Sequence, residues 1–249
     1  MSLKYKRVMI KVTGESLLGK REYGIDPAAA RDLAKKIKAV HELGIEVAVV
    51  IGGGNIFRGI AGSKNGINRA TADYMGMLAT VINGMALEDA LIKAKVPVRL
   101  ESALTMPSVA EPFLRKRAIN HLEKGRVVIL SAGTGNPYVT TDTGASLHAL
   151  ELHCEVLMKA TKVDGVYDKD PMTHSDAKMY QTLNFKDAIG VNKLDIMDSA
   201  ALAMSMENDL IIHVMQLFDD NNLIRAIKGE QIGTIISNQV TTKYYEREN

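Results

Sequence analysis

Val127-Val128-Ile129-Leu130-Ser131-Ala132-Gly133-Thr134-Gly135-Asn136-Pro137-Tyr138-Val139-Thr140-Thr141-Asp142 is the stretch around which the chain is organised. Val127 to Leu130 form an apolar, largely β-branched run, the composition of a buried strand. Small and turn-forming residues follow, from Gly133 to Pro137. Thr141 and Asp142 then precede Ala145, Leu147, Ala149 and Leu150, which predicts a helix start with a capping residue there, Asp142 included. A strand, a tight loop and a capped helix make an anion site. The first backbone N–H groups are unpaired, and the macrodipole adds about half a positive charge. Hydroxyls at Thr134, Thr140 and Thr141 add donors. Alone, the pattern fits an ordinary strand-to-helix turn equally well. Two more loops of this kind, after two more strands, favour a ligand site.

Working outward, Val8 to Val12 predict a first strand, ending at Thr13-Gly14-Glu15-Ser16. Asp26-Pro27 is an N-cap followed by proline at the first helical position, and Gly44 stops that helix. Residues 45–51 are a nearly all-apolar strand, as expected when both faces are covered. Gly52-Gly53-Gly54-Asn55 follows, then a loop over 59–66 and a long helix over about 68–95. A short strand over 97–100 and a helix over 112–124 precede the opening stretch. Beyond it come strands over 155–159, 178–183, 210–217 and 234–236, with helices over 184–190, 197–207 and 221–228. The polar end, 239–249, reads as a mobile tail or a subunit contact. Sustained strand–helix alternation predicts an α/β fold: a three-layer α/β/α sandwich with a mostly parallel central sheet.

The 249 residues carry 31 basic and 29 acidic side chains, a net +2. That balance, with no long Lys/Arg block, argues against a nucleic-acid surface. A single cysteine, Cys154, excludes an intramolecular disulfide and a cysteine-rich zinc site. No signal peptide is visible, and no uninterrupted apolar run approaches the roughly 18 residues of a membrane span. A cytoplasmic location is the expectation.

Gly14 to Lys20 matches G-x-x-x-x-G-K, but Arg21 stands where a P-loop needs Ser or Thr, and the lysine opens no helix. The triple glycine lacks the third glycine of the dinucleotide fingerprint. The alternative is a phosphate site assembled from several strand ends. Lys11 with Thr13-Gly14 is one end. Gly52 to Gly54 with Arg58 is a second, the opening loop a third, and Lys159 with Thr161 the fourth. A lone Lys or Arg is by default a solvated or snorkelling side chain, but four such ends together are a weaker coincidence. Asp142 is a helix cap, or a carboxylate holding Lys11 and Lys159 or helping to place Mg²⁺. Asp73 is an exposed helix acid or a ligand-binding one. Asp168 and Asp170 are turn residues before Pro171, or acceptors for a ribose or amine.

Several segments together resemble the bacterial UMP kinases (uridylate kinases) of the amino acid kinase superfamily. They are Lys11 to Ser16, Val50 to Gly59, Asp73 to Thr80 with its Met75-Gly76-Met77-Leu78, residues 131–142, and Lys159 to Tyr167. The resemblance spans about residues 5–237. It implies a single amino acid kinase-like domain over 1–249, with a UMP lobe over about 1–155 and an ATP lobe over about 156–238. It implies transfer of the ATP γ-phosphoryl group to UMP, giving UDP and ADP for pyrimidine nucleotide supply. By this resemblance Lys11, Arg58, Asp142 and Lys159 are catalytic. Lys11, Val12, Thr13, Gly14, Gly54, Arg58, Thr161, Tyr167 and Asp170 hold ATP. Gly53, Asp73 and the run Thr134, Gly135, Asn136, Pro137, Tyr138, Val139, Thr140 and Thr141 hold UMP. Mg²⁺ comes chiefly on the ATP phosphates, with Asp142 a further possible ligand. The family is typically homohexameric, activated by GTP and inhibited by UTP. Thr13 replaces the usual Ser, residues 19–24 depart from the usual loop, and Val214-Met215-Gln216 replaces Phe-Asn-Met. Within the superfamily the rival is a kinase acting on a carboxylate or carbamate. Outside catalysis it is a sensor that binds UMP or UTP without turnover.

Overall fold

The structure, a computed structural model, describes residues 3–58, 66–190, 196–216 and 221–246. Within these residues the first half runs β1 (Arg7–Val12), a 3-10 turn (Gly14–Leu17), α1 (Pro27–His41), β2 (Glu46–Ile51), α2 (Arg69–Lys93), β3 (Val98–Ser102), β4 (Glu111–Pro112), α3 (Arg115–Glu123) and β5 (Val127–Ser131). The second half runs α4 (Thr141–Glu151), β6 (Val156–Thr161), β7 (Tyr180–Asn184), α5 (Phe185–Gly190), α6 (Ser199–Glu207), β8 (Ile211–Gln216), α7 (Asn222–Ile227), β9 (Thr234–Ser237) and β10 (Lys243–Tyr244). The strands form one sheet in the order β10-β7-β9-β8-β6-β1-β2-β5-β3-β4. Among the strands of the described residues, β10–β7 and β8–β9 pair antiparallel and the other pairs are parallel. The expected three-layer architecture with a mostly parallel sheet is therefore present.

The two-residue period of the strands sorts side chains into two cores. Val8, Ile10 and Val12, with Val47, Val49 and Ile51, face α1, α2 and α7. Met9, Ala48, Val50 and Leu157 face α3 to α6. Asp26 caps α1 as expected, accepting from Ala28 N–H at 2.8 Å. Asn68 caps α2 by accepting from Ala70 N–H at 3.0 Å. By length and composition α2 could cross a membrane, but half of its apolar window is buried inside the fold.

Three expectations need correction. The helix expected from Pro112 begins at Arg115. Glu111 and Pro112 instead pair with β3, and Phe113 N–H donates to Ser102 O at 2.9 Å. The polar tail is not loose up to residue 246. β10 pairs with β7, and the Tyr244 ring stacks on Tyr180 with centroids 4.4 Å apart. The cap of α4 is Thr140, whose hydroxyl accepts from Asp142 N–H at 3.1 Å and Thr143 N–H at 3.3 Å. Asp142 is therefore released from capping. The loop expected over 59–65 and the strand end at residue 217 lie outside the described residues.

Candidate active site

The site follows from strand register. Lys11 lies directly opposite Lys159 in the parallel β1–β6 pair. Both continue the rows of Met9 and Leu157, so both ammonium groups rise on the face covered by α4. Asp142, in the first turn of α4, meets them there. Its Oδ1 lies 2.7 Å from Lys11 Nζ, and its Oδ2 accepts from Lys159 Nζ at 2.9 Å. Lys159 also donates to the Ile196 carbonyl. Both lysines are buried. Burial works to raise the Asp142 carboxyl, but the two ammonium groups outweigh it and hold the carboxyl below its ordinary value. The cluster carries one net positive charge at the carboxyl ends of the strands.

Two cavities open nearby, one lined by Thr140 and Thr141 just ahead of Asp142, the other by Lys159 itself. One, of about 220 Å³, is lined by Gly53, Gly54, Arg58, Asp73, Gly133, Thr134, Asn136, Val139, Thr140 and Thr141, with Arg69, Met77 and Thr80 among the rest. The other, of about 330 Å³, is lined by Lys159, Thr161, Val163, Gly165, Val166, Tyr167 and Asp170 among others. Gly54 and Arg58, expected beside ATP, thus share a cavity with Gly53 and Asp73. Gly135, Pro137 and Tyr138 stand outside its lining. Gly135 instead packs beside Ala103. Tyr138 donates its backbone N–H to Asp73 Oδ2 at 2.8 Å. Val12 is wholly buried, so only its backbone is placed to meet a ligand. Thr13 Oγ1 lies 3.4 Å from Ser16 Oγ.

In the second cavity, Thr161 donates its hydroxyl to Val163 O at 2.6 Å. Tyr167 donates to Asp164 Oδ1 at 2.8 Å. Burial, reinforced by that bond, pushes its phenol up to about 12. Asp170 Oδ1 accepts from Met172 N–H at 2.9 Å, and Asp168 Oδ1 from Lys178 N–H at 2.8 Å, so both acids also organise their turns.

Several contributors escape a reading of the sequence. Glu15 pairs with Arg58, which lines the first cavity, and with Lys162 at 2.6 Å. The hydrogen bond from Lys162 holds the Glu15 carboxyl below its ordinary value. Arg69 donates to both oxygens of Asp73, at 3.0 and 2.9 Å. Their four-residue spacing on a helix was the available signal. Asn55 and Asn83 exchange side-chain hydrogen bonds at 3.0 and 2.6 Å, and Asn83 also donates to Gly52 O at 2.7 Å. That buried amide pair pins the triple glycine to α2. Asp198 accepts from the hydroxyls of Thr140 and Thr143 while capping α6, which ties two helix starts together. The Gly14–Lys20 match is no P-loop, because Gly14–Leu17 is a 3-10 turn and Lys20 sits in a turn beyond it.

One further cluster, Glu101, Glu111 and His121, brings three ligand-type atoms within 4.8 Å of one another. Arg126 donates to His121 Nδ1 at 2.8 Å, so the ring proton sits on Nε2, 3.3 Å from Glu111 Oε2. Arg99 and Arg117 also pair with Glu111. The histidine then has no lone pair free for a metal, and the cluster reads as a hydrogen-bonded sheet edge. Burial pushes the Glu101 carboxyl up to about 7. A pKa raised on folding stabilises the protein at acid pH, and that stabilisation is lost as pH rises from the unfolded value, about 4.3, through 7. The melting temperature of the wild type should therefore fall more between pH 5 and 8 than that of Glu101→Gln. Parallel pH slopes for the two proteins would overturn this assignment.

The chain matches the model of the "Amino acid kinase family" over residues 6–216. Among solved structures it is similar to a UMP kinase from Bacillus anthracis, with 36% identity, 97% of this chain and 99% of that chain covered, and a TM-score of 0.93. It is similar to a UMP kinase from Ureaplasma parvum at 34% identity, 94% and 99% coverage, and a TM-score of 0.88. A uridylate kinase from Archaeoglobus fulgidus aligns at 27% identity, 92% and 99% coverage, and a TM-score of 0.71.

Proposed function

The chain belongs to the amino acid kinase family, and from that premise we propose that it transfers the γ-phosphoryl group of ATP to UMP, giving UDP and ADP. The observation that carries the reading is the Lys11–Asp142–Lys159 cluster at the strand ends, with Lys159 lining one cavity and Thr140 and Thr141, next to Asp142, lining the other. The cavity over Thr161, Tyr167 and Asp170 receives ATP, and the cavity over Asp73 and Thr134 to Thr141 receives UMP. The corresponding lobes are residues 156–238 and 1–155.

The acceptor is a phosphate oxygen, already anionic at neutral pH, so no strong general base is needed. The protein's work is positioning and charge neutralisation. Lys11 and Lys159 offset the charge developing on the transferred group. Asp142 keeps their ammonium groups aimed at one point. Arg58, released from Glu15, and the backbone N–H groups of Gly53 and Gly54 meet the phosphates from the other side. Asp73, clamped by Arg69, is placed for a sugar hydroxyl. Both oxygens of Asp142 are engaged by ammonium groups, which fits Mg²⁺ carried by the ATP phosphates with Asp142 as the nearby carboxylate. When bound, Mg²⁺ offsets phosphate charge.

We place the enzyme in the cytoplasm, in pyrimidine nucleotide synthesis, as a homohexamer with GTP and UTP as candidate effectors. For assembly, the support is a row of exposed apolar side chains along α2, Tyr74, Met75, Leu78, Ile82 and Met85, which suits a second copy of the chain. Sedimentation reads the assembly, and GTP and UTP titrations read the effectors.

The decisive experiment is ADP release from Mg²⁺–ATP with UMP, CMP, dUMP, acetylglutamate, aspartate and carbamate in parallel. Turnover with UMP far above the others is expected. Turnover confined to a carboxylate or carbamate would overturn the acceptor. UMP binding without turnover of any acceptor would make the protein a sensor.

A further inference from the structure

Helix α4 carries Asp142 at its start and His148 in its last turn. His148 is buried, with its ring edge-on to Phe113 at 4.6 Å between centroids. Its Nδ1–H donates to Glu151 Oε2 at 2.8 Å, since a carboxylate only accepts, and this fixes the ring orientation. Its Nε2 lies 3.0 Å from the carbonyl oxygen of Gly133. A carbonyl oxygen only accepts, so the Nε2–H donates.

That contact reaches the loop lining the acceptor cavity. Ala132, Gly133 and Gly135 hold φ of 63°, 54° and 76°, all left-handed, and Ala132 is not a glycine. Such a backbone is maintained only where its surroundings determine it. Two side chains do so here. Thr80 of α2 accepts from Ala132 N–H at 2.7 Å, and His148 of α4 donates to Gly133 O. The carbonyl of Gly133 and the N–H of Thr134 belong to one planar trans peptide and point in opposite directions. Pulling the carbonyl toward His148 therefore turns the Thr134 N–H the other way. Gly133 and Thr134 both line the acceptor cavity.

We propose that His148 is a positioning residue for the acceptor nucleotide: through the Gly133 carbonyl it aims the Thr134 N–H at an oxygen of that nucleotide. The proposal rests on the UMP reading of this cavity. The oxygen belongs either to the phosphate or to the base.

The test compares His148→Gln, His148→Asn and His148→Leu with the wild type. Glutamine reaches close to the place of Nε2 and keeps a donor there. Asparagine is equally polar but too short, and leucine has no donor. The expected result is an acceptor KM raised about 10-fold in the Asn and Leu variants, the scale of one hydrogen bond. ATP KM should not move, and Gln should recover most of the loss. Should the Leu variant fail to fold, the Asn and Gln pair decides. CMP locates the oxygen. An equal KM rise for UMP and CMP points to the phosphate, and a rise for UMP alone points to the base, where CMP bears an amine. Acceptor KM unchanged in all three, or Asn and Gln equally impaired with ATP KM rising in step, would overturn the role. Wild-type turnover with UMP is the control. Its absence overturns the acceptor assignment and the proposal with it, whereas its presence with an unmoved acceptor KM removes only His148.

Discussion

Replacing Lys11 by alanine is expected to lower turnover about 100- to 1,000-fold, the cost of one transition-state donor, without unfolding the chain. Burial is the reason. An ammonium with almost no access to water has its own charge poorly solvated, so its position is worthwhile only against a fixed opposite charge. Asp142 supplies that charge at 2.7 Å. The same carboxylate retains Lys159 at 2.9 Å when Lys11 is gone, so no unpaired acid is left behind. The fold should survive, with its circular dichroism spectrum unchanged and its melting temperature little moved. Loss should appear in kcat more than in the KM of either substrate, because the charge being neutralised is largest during transfer. Turnover near the wild-type value would remove Lys11 from the mechanism. Collapse of the melting transition would make it a structural residue.

Gly14→Ala should be nearly as damaging, for a reason of space. A β-carbon built at Gly14 would lie 2.3 Å from Asn55 Oδ1, 2.7 Å from Gly52 O and 2.9 Å from Gly54 N. Two of those atoms are backbone of the triple-glycine loop, and the third belongs to the amide pair that holds that loop to α2. None can yield without moving the loop away from the end of β1. A shift of about 1 Å at a reacting centre costs on the order of 100-fold in rate, and overpacking destabilises by about 1–3 kcal/mol. Gly144→Ala is the control. Its β-carbon would meet nothing nearer than 3.5 Å, and alanine favours the helix it sits in. Activity and melting temperature should fall together at residue 14 and hold at residue 144. Equal behaviour of the two variants would refute the close-approach argument.

These two sites mark how much was legible in the chain itself. Lys11 is readable because the buried strands of a parallel sheet are continuous apolar runs, and a lysine one residue from such a strand's end interrupts the pattern. The triple glycine and the small-residue loop after β5 are readable because small residues permit close backbone approach. What escaped depends on partners distant in sequence. Three cap-forming side chains stand in a row, Thr140, Thr141 and Asp142. Which of them caps α4 depends on Asp198 and the two lysines, none of them sequence neighbours. β4 and β10 have two residues each, too few for any period, and exist only because β3 and β7 offer an edge. Glu15 is an ordinary surface acid until folding brings Arg58 and Lys162 to it.

The register that sets Lys11 against Lys159 fixes more than two side chains. Neighbouring strands in any sheet stand about 4.8 Å apart, so the spacing of this cation pair is a property of backbone hydrogen bonding. Insertions and substitutions in the loops above it leave that spacing untouched. On the proposed reading, changes in the loops around the acceptor cavity would leave the pair of lysines that meets the phosphates in register. A scaffold of this kind separates the lysine spacing, set by the backbone of two strands, from the loops that line the cavities.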